Sequence, residues 1–176
     1  MTQTNLGLIQ VYTGNGKGKT TAALGLALRA AGSGLRTFFG QFMKGTPYGE
    51  LKALRRLAPL IIVEQFGDRR HVCSGDPSPQ HVAQAQAGLR RIEQVLQSGE
   101  FDIVVMDEIN TACSFGLLSV SEVLTVLESR PPTVEVVLTG RNAPSEFVTQ
   151  ADLVTEMAEV RHPFRKGIPA RRGIEY

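Results

Sequence analysis

Short apolar runs alternate with amphipathic stretches along the 176 residues of this chain. Six of the runs are rich in β-branched and aromatic residues and therefore predict strands, at residues 8–12, 37–42, 60–66, 103–106, 134–139 and 153–160. Residues 103–106 and 136–138 are apolar at every position, whereas a strand with one solvated face would alternate. This continuity favours a parallel sheet that is covered on both faces.

Helical patterns fill the intervals between the strands, at residues 20–31, 48–57, 79–97, 119–128 and 144–150. In the third of these, apolar residues recur every three or four positions, which leaves one apolar face for the sheet. Ser119 followed by Glu122 is the signature of a capping box that opens the fourth helix. Alternating strands and helices predict an α/β fold with a doubly wound, mostly parallel sheet. The chain length favours one domain over residues 1–176.

A glycine-rich segment links the first predicted strand to the first predicted helix. Residues 13–21 read Thr-Gly-Asn-Gly-Lys-Gly-Lys-Thr-Thr, and Gly-Lys-Thr between a strand and a helix indicates a phosphate-binding loop. Backbone N–H groups and the helix N-terminus attract phosphates there, Lys19 adds a full positive charge, and Thr20 offers a hydroxyl to a magnesium ion. The expected fold is therefore that of the P-loop nucleoside triphosphate hydrolases. The plainer alternative is a glycine-rich turn with solvated lysines.

Two carboxylates follow the fourth predicted strand directly, at Asp107 and Glu108. In an open parallel sheet the ligand crevice lies beyond the carboxyl ends of the strands, so both acids are expected beside the phosphate-binding loop. One of them can hold magnesium, directly or through water, while the other orients a water molecule or the nucleotide. The alternative is that they cap the helix that follows.

The overall charge and the cysteines restrict the class of partner and the compartment. The net charge of +2 gives no reason to expect nucleic acid as a partner. The first seven residues lack a signal-peptide pattern, and no apolar run reaches the length of a membrane span, so a cytoplasmic protein without membrane contact is expected. Reduced thiols are then the default for Cys73 and Cys113. His71 and Cys73 stand close in sequence, but two residues are no metal-ligand set.

With both motifs placed, the sequence resembles the P-loop corrinoid adenosyltransferases. The similarity extends over nearly the whole chain. It is carried by Val-Tyr-Thr-Gly-Asn-Gly-Lys-Gly-Lys-Thr-Thr-Ala-Ala-Leu-Gly from residue 11, Arg-Ala-Ala-Gly from 29, Gln-Phe-Met-Lys-Gly from 41, Gly-Glu at 49, Met-Asp-Glu-Ile-Asn from 106, Leu-Thr-Gly-Arg-Asn-Ala-Pro from 138, Ala-Asp-Leu-Val-Thr-Glu-Met from 151, His-Pro-Phe-Arg-Lys-Gly-Ile from 162 and Gly-Ile-Glu-Tyr at the end. The loop alone would fit many ATPases, whereas the set is specific to the family.

This resemblance implies a reaction and its participants. A homodimer is expected to bind ATP with Mg²⁺ or Mn²⁺, together with a corrinoid that a partner reductase delivers in the Co(I) state. Cobalt then attacks the 5′ carbon of the ribose and triphosphate leaves, in the biosynthesis or salvage of adenosylcobalamin. In the family the nucleotide lies on the loop in the sense opposite to that in hydrolases. No protein nucleophile is needed, because the corrinoid supplies the reactive atom.

The resemblance also assigns site residues. Lys19, Thr20 and Glu108 are the expected catalytic residues, and Thr20 with Asp107 or Glu108 is expected to hold the metal. The nucleotide contacts are Gly14, Asn15, Gly16, Lys17, Gly18, Lys19, Thr20, Thr21, Arg29 and Arg141. For Arg29, a plain surface arginine on a helix is the alternative. Lys44 follows the second strand and points toward the crevice, although loop lysines are usually just solvated.

Two features depart from the family pattern. Thr13 stands where the usual loop begins with glycine, so the first turn of the loop is expected to differ. Related enzymes place an aromatic pair with a tryptophan after the third strand, but this chain has no tryptophan, and Phe66 is expected to do part of that work. The rival functions are a P-loop ATPase or kinase that cuts at the γ-phosphate with Glu108 as helper, and a corrinoid-binding module without turnover.

The basic C-terminal tail has two interpretations. It carries Arg165, Lys166, Arg171 and Arg172. Such a segment is usually solvated, but its match to the family terminus suggests that it closes over the site or the dimer interface.

Overall fold

The predicted strands form one six-stranded sheet in which every neighbouring pair is parallel. The computed structural model describes residues 6–46, 48–68 and 77–175. The strands run in the order β3-β2-β4-β5-β1-β6, with bounds β1 Ile9–Thr13, β2 Thr37–Phe42, β3 Ile61–Phe66, β4 Ile103–Asp107, β5 Glu135–Thr139 and β6 Leu153–Glu156. This confirms the α/β class and the doubly wound parallel sheet. The predicted strand at 153–160 is too long, because β6 ends at Glu156.

Helices connect the strands on both sides of the sheet. Their bounds are α1 Lys19–Gly32, α2 Gly49–Leu54, α3 Pro79–Gln97, α4 Ile109–Ser114, α5 Val120–Glu128 and α6 Ser145–Gln150, with 3₁₀ turns at Arg55–Leu57 and Pro163–Lys166. The predicted helix at 48–57 is thus divided into α2 and a 3₁₀ turn. Helix α4 was not predicted, because six residues are too few to show a period. The capping box of Ser119 and Glu122 is present at the start of α5.

Each face of the central strands packs against its own apolar layer. Along β4, Val104 and Met106 join the layer that includes α3 and α5, whereas Ile103 and Val105 join the layer that includes α1. All four side chains are at most 2% exposed. Both faces of β4 are therefore covered, which explains its continuous apolar run as the sequence predicted.

The parallel arrangement decides where the polar motifs meet. The carboxyl ends of parallel strands lie at the same edge of a sheet, so the loop after β1 and the acids after β4 open toward one side. Helix α1 begins at that edge and crosses the sheet on alanines, since Ala23, Ala27 and Ala30 are its buried residues in the layer against Phe39 and Val105. Its N-terminus is therefore aimed at the crevice.

Candidate functional site

The loop after β1 is held in shape by the chain that follows β6. Gly14 and Gly18 have φ angles of 91° and 125°, which favour glycine. A Cβ atom on Gly16 would lie 2.7 Å from the carbonyl oxygens of Met157 and Ala158, and the Gly16 N–H donates to the Met157 oxygen at 2.6 Å. Glycine is thus required both by backbone conformation and by close packing.

Thr13 has a contact of its own at the base of the loop. It ends β1 in extended backbone, a conformation that any residue adopts. Its hydroxyl oxygen accepts a hydrogen bond from the Ala143 N–H at 3.2 Å. The threonine therefore ties the loop after β1 to the segment after β5, a contact that glycine could not make.

Lys19 is folded back into the loop. Its side-chain nitrogen donates to the carbonyl oxygens of Gly14 at 2.7 Å and Gly16 at 2.8 Å, and the residue is 7% exposed. Burial lowers the pKa of Lys19, against the opposing effect of the Glu108 and Asp107 carboxylates. The Lys19 nitrogen therefore stands at the mouth of the loop and helix α1, where an anion would bind.

Asp107 is the centre of the polar contacts, although it is fully buried. Its Oδ1 accepts from the hydroxyls of Thr20 at 2.8 Å and Thr139 at 2.6 Å. Its Oδ2 accepts from Lys44 Nζ at 2.7 Å and Gln41 Nε2 at 3.3 Å. The carboxylate thus joins α1, β2, β5 and the segment after β2, and it makes no contact that would cap α4.

Lys44 takes part in the site rather than lying in solvent. Its side chain is only 17% exposed, and its nitrogen also lies 3.5 Å from the Thr20 hydroxyl and 5.9 Å from the centre of the Tyr48 ring. Burial disfavours its charge, but the nearby carboxylates of Asp107, Glu108 and Glu50 outweigh burial and raise the pKa of Lys44. From the sequence, its position after β2 was the signal that placed Lys44 near the crevice.

Glu108 sits in the left-handed region with φ 63°, directly before α4. Its backbone N–H donates to the Thr139 hydroxyl at 3.0 Å, and its Oε2 accepts from the Thr111 hydroxyl at 2.6 Å. Its side chain makes no hydrogen bond to a backbone N–H of α4. The carboxylate is therefore positioned at the cavity wall and does not act as a conventional helix cap.

The loop after β5 completes this side of the site. Gly140 has φ 133°, and a Cβ atom there would lie 2.8 Å from the backbone nitrogen and the hydroxyl of Thr111. The Arg141 N–H donates to the same hydroxyl at 3.0 Å. The Arg141 side chain is exposed and borders the cavity, so it can reach an anion bound there.

A cavity of about 810 Å³ lies here, and Lys19, Thr20, Lys44, Glu108 and Arg141 are among the residues that line it. Three further wall residues, Tyr48, Thr111 and Phe115, belong to no motif and were not expected from the sequence. Three others lie in family motifs that indicated no contact for them individually: Asn142, His162 and Ile174. The C-terminal segment also borders it, since Lys17 Nζ donates to the Ile174 oxygen at 3.0 Å and to Glu175 Oε1 at 3.1 Å. A pocket of this size with convergent cations suits a ligand as large and as charged as a nucleotide.

Comparison with known proteins identifies the chemistry. The family model described as ATP:corrinoid adenosyltransferase BtuR/CobO/CobP matches residues 5–176. The chain belongs to this family. It is 35% identical over 171 residues to a corrinoid adenosyltransferase of Pseudomonas aeruginosa, with 97% of this chain and 84% of the relative covered. It is also 35% identical over 175 residues to the corrinoid adenosyltransferase CobA of Salmonella typhimurium, with 99% and 88% covered.

Family membership confirms the resemblance to the corrinoid adenosyltransferases, the P-loop type of fold and the transferase activity that the sequence predicted. The chain is an ATP:corrinoid adenosyltransferase. In the part of the chain that the structure describes, no helix of the adenosyltransferase is long and apolar enough to cross a membrane.

Some predicted residues of the adenosyltransferase lie apart from the cavity. Arg29 is exposed in the last turn of α1, roughly 15 Å along the helix axis from Lys19. Phe66 packs edge-to-face on Phe42 with ring centres 5.3 Å apart, and a Cβ on Gly88 would lie 2.5 Å from its ring. Neither residue borders the cavity, so their suggested ligand contacts stay predictions.

His71 and the two cysteines are the remaining side chains that the sequence analysis considered. His71 and Cys73 lie outside the described residues. Cys113 forms no disulfide and is largely buried in α4, which raises the pKa of its thiol to about 12. A thiol with so high a pKa is not a nucleophile at neutral pH.

Proposed function

We propose that the adenosyltransferase binds the triphosphate of ATP on the loop at residues 14–18 and the first turn of α1, with the 5′ carbon turned toward the corrinoid. The observation that carries this proposal is the Lys19 ammonium, held at 2.7 and 2.8 Å by two loop carbonyls beside the helix N-terminus. Thr20 and Thr21 follow on the same helix end, and both border the cavity. Arg141 borders the same cavity.

In this proposal the protein stabilises the leaving group. The electron pair of Co(I) forms the bond to the 5′ carbon, and the bond from that carbon to its oxygen breaks, so that triphosphate departs with the electron pair. Negative charge then grows on the bridging oxygen, and fixed cations such as Lys19 and Arg141 stabilise it without reorganisation. The remaining task of the protein is to hold the two substrates in line.

A divalent cation fits the same place. The Asp107 carboxylate and the Thr20 hydroxyl are hard oxygen ligands of the kind that Mg²⁺ and Mn²⁺ prefer. The Lys44 ammonium beside both oxygens supports a positive charge at this point. Among the described residues, no cluster of three or more His, Cys, Asp or Glu side chains could hold a metal ion. Phosphate oxygens and water must therefore complete the shell, and Glu108 could orient such a water. When bound, the metal would neutralise phosphate charge.

We propose further that the enzyme works as a cytoplasmic homodimer of one-domain subunits and accepts corrinoid from a reductase. All six described strands join one sheet, which supports one domain. The outer edge of β6 supports a dimer, because Leu153 and Val154 are 42% and 43% exposed and an unpaired apolar edge favours association.

The role of the loop is tested with Lys19→Ala. Removing this charge should lower the adenosylation rate about 100-fold or more and weaken MgATP binding by about tenfold, while circular dichroism shows an unchanged fold. The matched control is Lys52→Ala, which removes an exposed lysine of α2 that does not border the cavity. Near-normal turnover and MgATP affinity in Lys19→Ala would show that the loop does not hold the triphosphate.

A further inference from the structure

Lys44 and a divalent cation cannot occupy this site together. Lys44 Nζ lies 2.7 Å from Asp107 Oδ2 and 3.5 Å from Thr20 Oγ1, and these two side chains are the metal ligands proposed above. The two oxygen ligands are themselves joined by a hydrogen bond of 2.8 Å. A cation bound to both would stand against the ammonium, and two like charges at such a separation repel.

Without a metal, Lys44 is the positive charge in direct contact with Asp107, whereas Lys19 acts on this carboxylate without a hydrogen bond to it. Among the described residues that donate a hydrogen bond to this buried carboxylate, Thr20, Thr139 and Gln41 are neutral and Lys44 is charged. A buried carboxylate without a counter-charge is strongly destabilising. A metal ion at Thr20 and Asp107 would supply that counter-charge and make Lys44 dispensable there.

The local structure lets the Lys44 side chain move while its backbone stays fixed. A Cβ on the next residue, Gly45, would lie 2.5 Å from backbone atoms of Gly67 and Asp68, so this segment is packed tightly on the end of β3. The Thr46 carbonyl is held by Gln65 Nε2 at 3.1 Å. Lys44 itself borders the same cavity as the phosphate-binding loop, and a lysine side chain has several staggered rotamers.

We propose that Lys44 is an exchangeable counter-charge: it neutralises Asp107 while the enzyme is free of nucleotide, and it moves onto the triphosphate when the metal arrives with ATP. This inference rests on the proposed nucleotide site and adds a binding residue to it. The enzyme thereby keeps Asp107 paired at every stage, and it gains a phosphate contact only when the metal is in place.

The first test measures thermal unfolding with Mg²⁺ alone, without nucleotide. In Lys44→Met the buried carboxylate has lost its counter-charge, so the melting temperature should fall in EDTA and rise by at least about 4 °C when Mg²⁺ is added. The wild-type protein and Lys52→Met should respond to Mg²⁺ by less than about 1 °C. A Lys44→Met protein that is indifferent to Mg²⁺, or a wild type that responds equally, would overturn the exchange.

A double variant keeps this test decisive if Lys44→Met does not fold without metal. Lys44→Met with Asp107→Asn removes both charges, so it should fold in EDTA and show no response to Mg²⁺. A response as large as that of Lys44→Met would mean that the metal acts elsewhere, which contradicts the proposal.

The second test measures MgATP affinity by calorimetry at saturating Mg²⁺. If Lys44 moves onto the triphosphate, Lys44→Met should bind MgATP about tenfold more weakly than the wild type, although Mg²⁺ has restored its stability. Equal affinity would overturn the transfer to phosphate and leave Lys44 as a structural partner of Asp107 alone. Because neither test measures turnover, both are separate from the outcome of the adenosyl-transfer assay.

Discussion

At the scale of single residues, the site depends on the hydroxyl of Thr139, which contacts both acids after β4. Thr139 Oγ1 donates to Asp107 Oδ1 at 2.6 Å and accepts from the Glu108 N–H at 3.0 Å. It thereby helps to hold Glu108 in its left-handed conformation, which costs on the order of 1–3 kcal/mol for a residue other than glycine. One side chain thus fixes the geometry of two proposed ligands.

Thr139→Val should therefore lower stability as well as activity. The methyl group fills the same space but leaves a buried carboxylate oxygen and an N–H short of a partner, which costs about 1–3 kcal/mol. Urea unfolding measures that loss. The matched control is Thr125→Val. The exposed hydroxyl of Thr125 donates to the Ser121 carbonyl oxygen within α5, so its loss should change stability by less than about 0.5 kcal/mol. Equal effects of the two substitutions would contradict this account of Thr139.

The sequence predicted the residues of the site whose role is local and missed those whose role is tertiary. Lys19 and Thr20 belong to a contiguous motif, and Asp107 follows a buried strand, so spacing alone indicated them. Thr139 and Lys44 lie inside two of the family motifs, but those motifs do not show that either side chain contacts Asp107. They matter because β2 and β5 flank β4 in the sheet, and strand order is not written in any local pattern.

At the scale of elements, the phosphate-binding loop and the chain after β6 form one unit. The Met157 N–H donates to Thr13 O at 2.8 Å, and the Met157 oxygen accepts from Gly16. This pairing also explains why β6 is shorter than predicted: its neighbour β1 ends at Thr13 and turns into the loop, so residues beyond Met157 have no strand to pair with.

Gly16→Ala should damage the site more than the fold. Its Cβ would lie 2.7 Å from two carbonyl oxygens, so the loop must move away from residues 157–158, and MgATP affinity should fall more than tenfold. Gly25→Ala is the matched comparison, because a Cβ there meets nothing within 4 Å. It lies inside α1 and should stabilise the protein by about 0.5–1 kcal/mol with unchanged affinity. Similar MgATP affinities in the two variants would refute the packing argument.

Strands were easier to predict than short helices. Each of the six predicted strands corresponds to a strand of the sheet. Continuous apolar runs such as residues 103–106 are easy to assign, because they fit a strand that is covered on both faces. Helix α4 has six residues, begins after a left-handed Glu108 and lacks a capping side chain, so neither its period nor its ends are visible in sequence.

At the scale of the whole molecule, one edge of the sheet is left uncovered in the single chain. All four residues of β6 are exposed, and the segment after it carries further exposed apolar side chains at Val160, Phe164 and Ile168. Surface of this kind is typical of association. The same segment borders the cavity at His162, so dimerisation through it would bring the partner close to the nucleotide.

Val154→Lys tests this interface. A charge on an edge strand opposes pairing with another chain, so sedimentation should show a monomer for Val154→Lys and the proposed dimer for the wild type. Leu28→Lys replaces an even more exposed apolar residue on α1 and should leave the proposed dimer intact. A dimer of unchanged stability in Val154→Lys would place the contact elsewhere.

The proposed function requires that the loop at residues 14–18 binds a triphosphate that leaves without being cleaved. Phosphorus NMR of the products decides it most directly, with MgATP and a Co(I) corrinoid incubated under strict reduction. The reaction should release inorganic triphosphate in an amount equal to that of the new carbon–cobalt bond, which changes the corrinoid absorbance. No triphosphate should form when the corrinoid is left out. ADP and phosphate as the main products would contradict it.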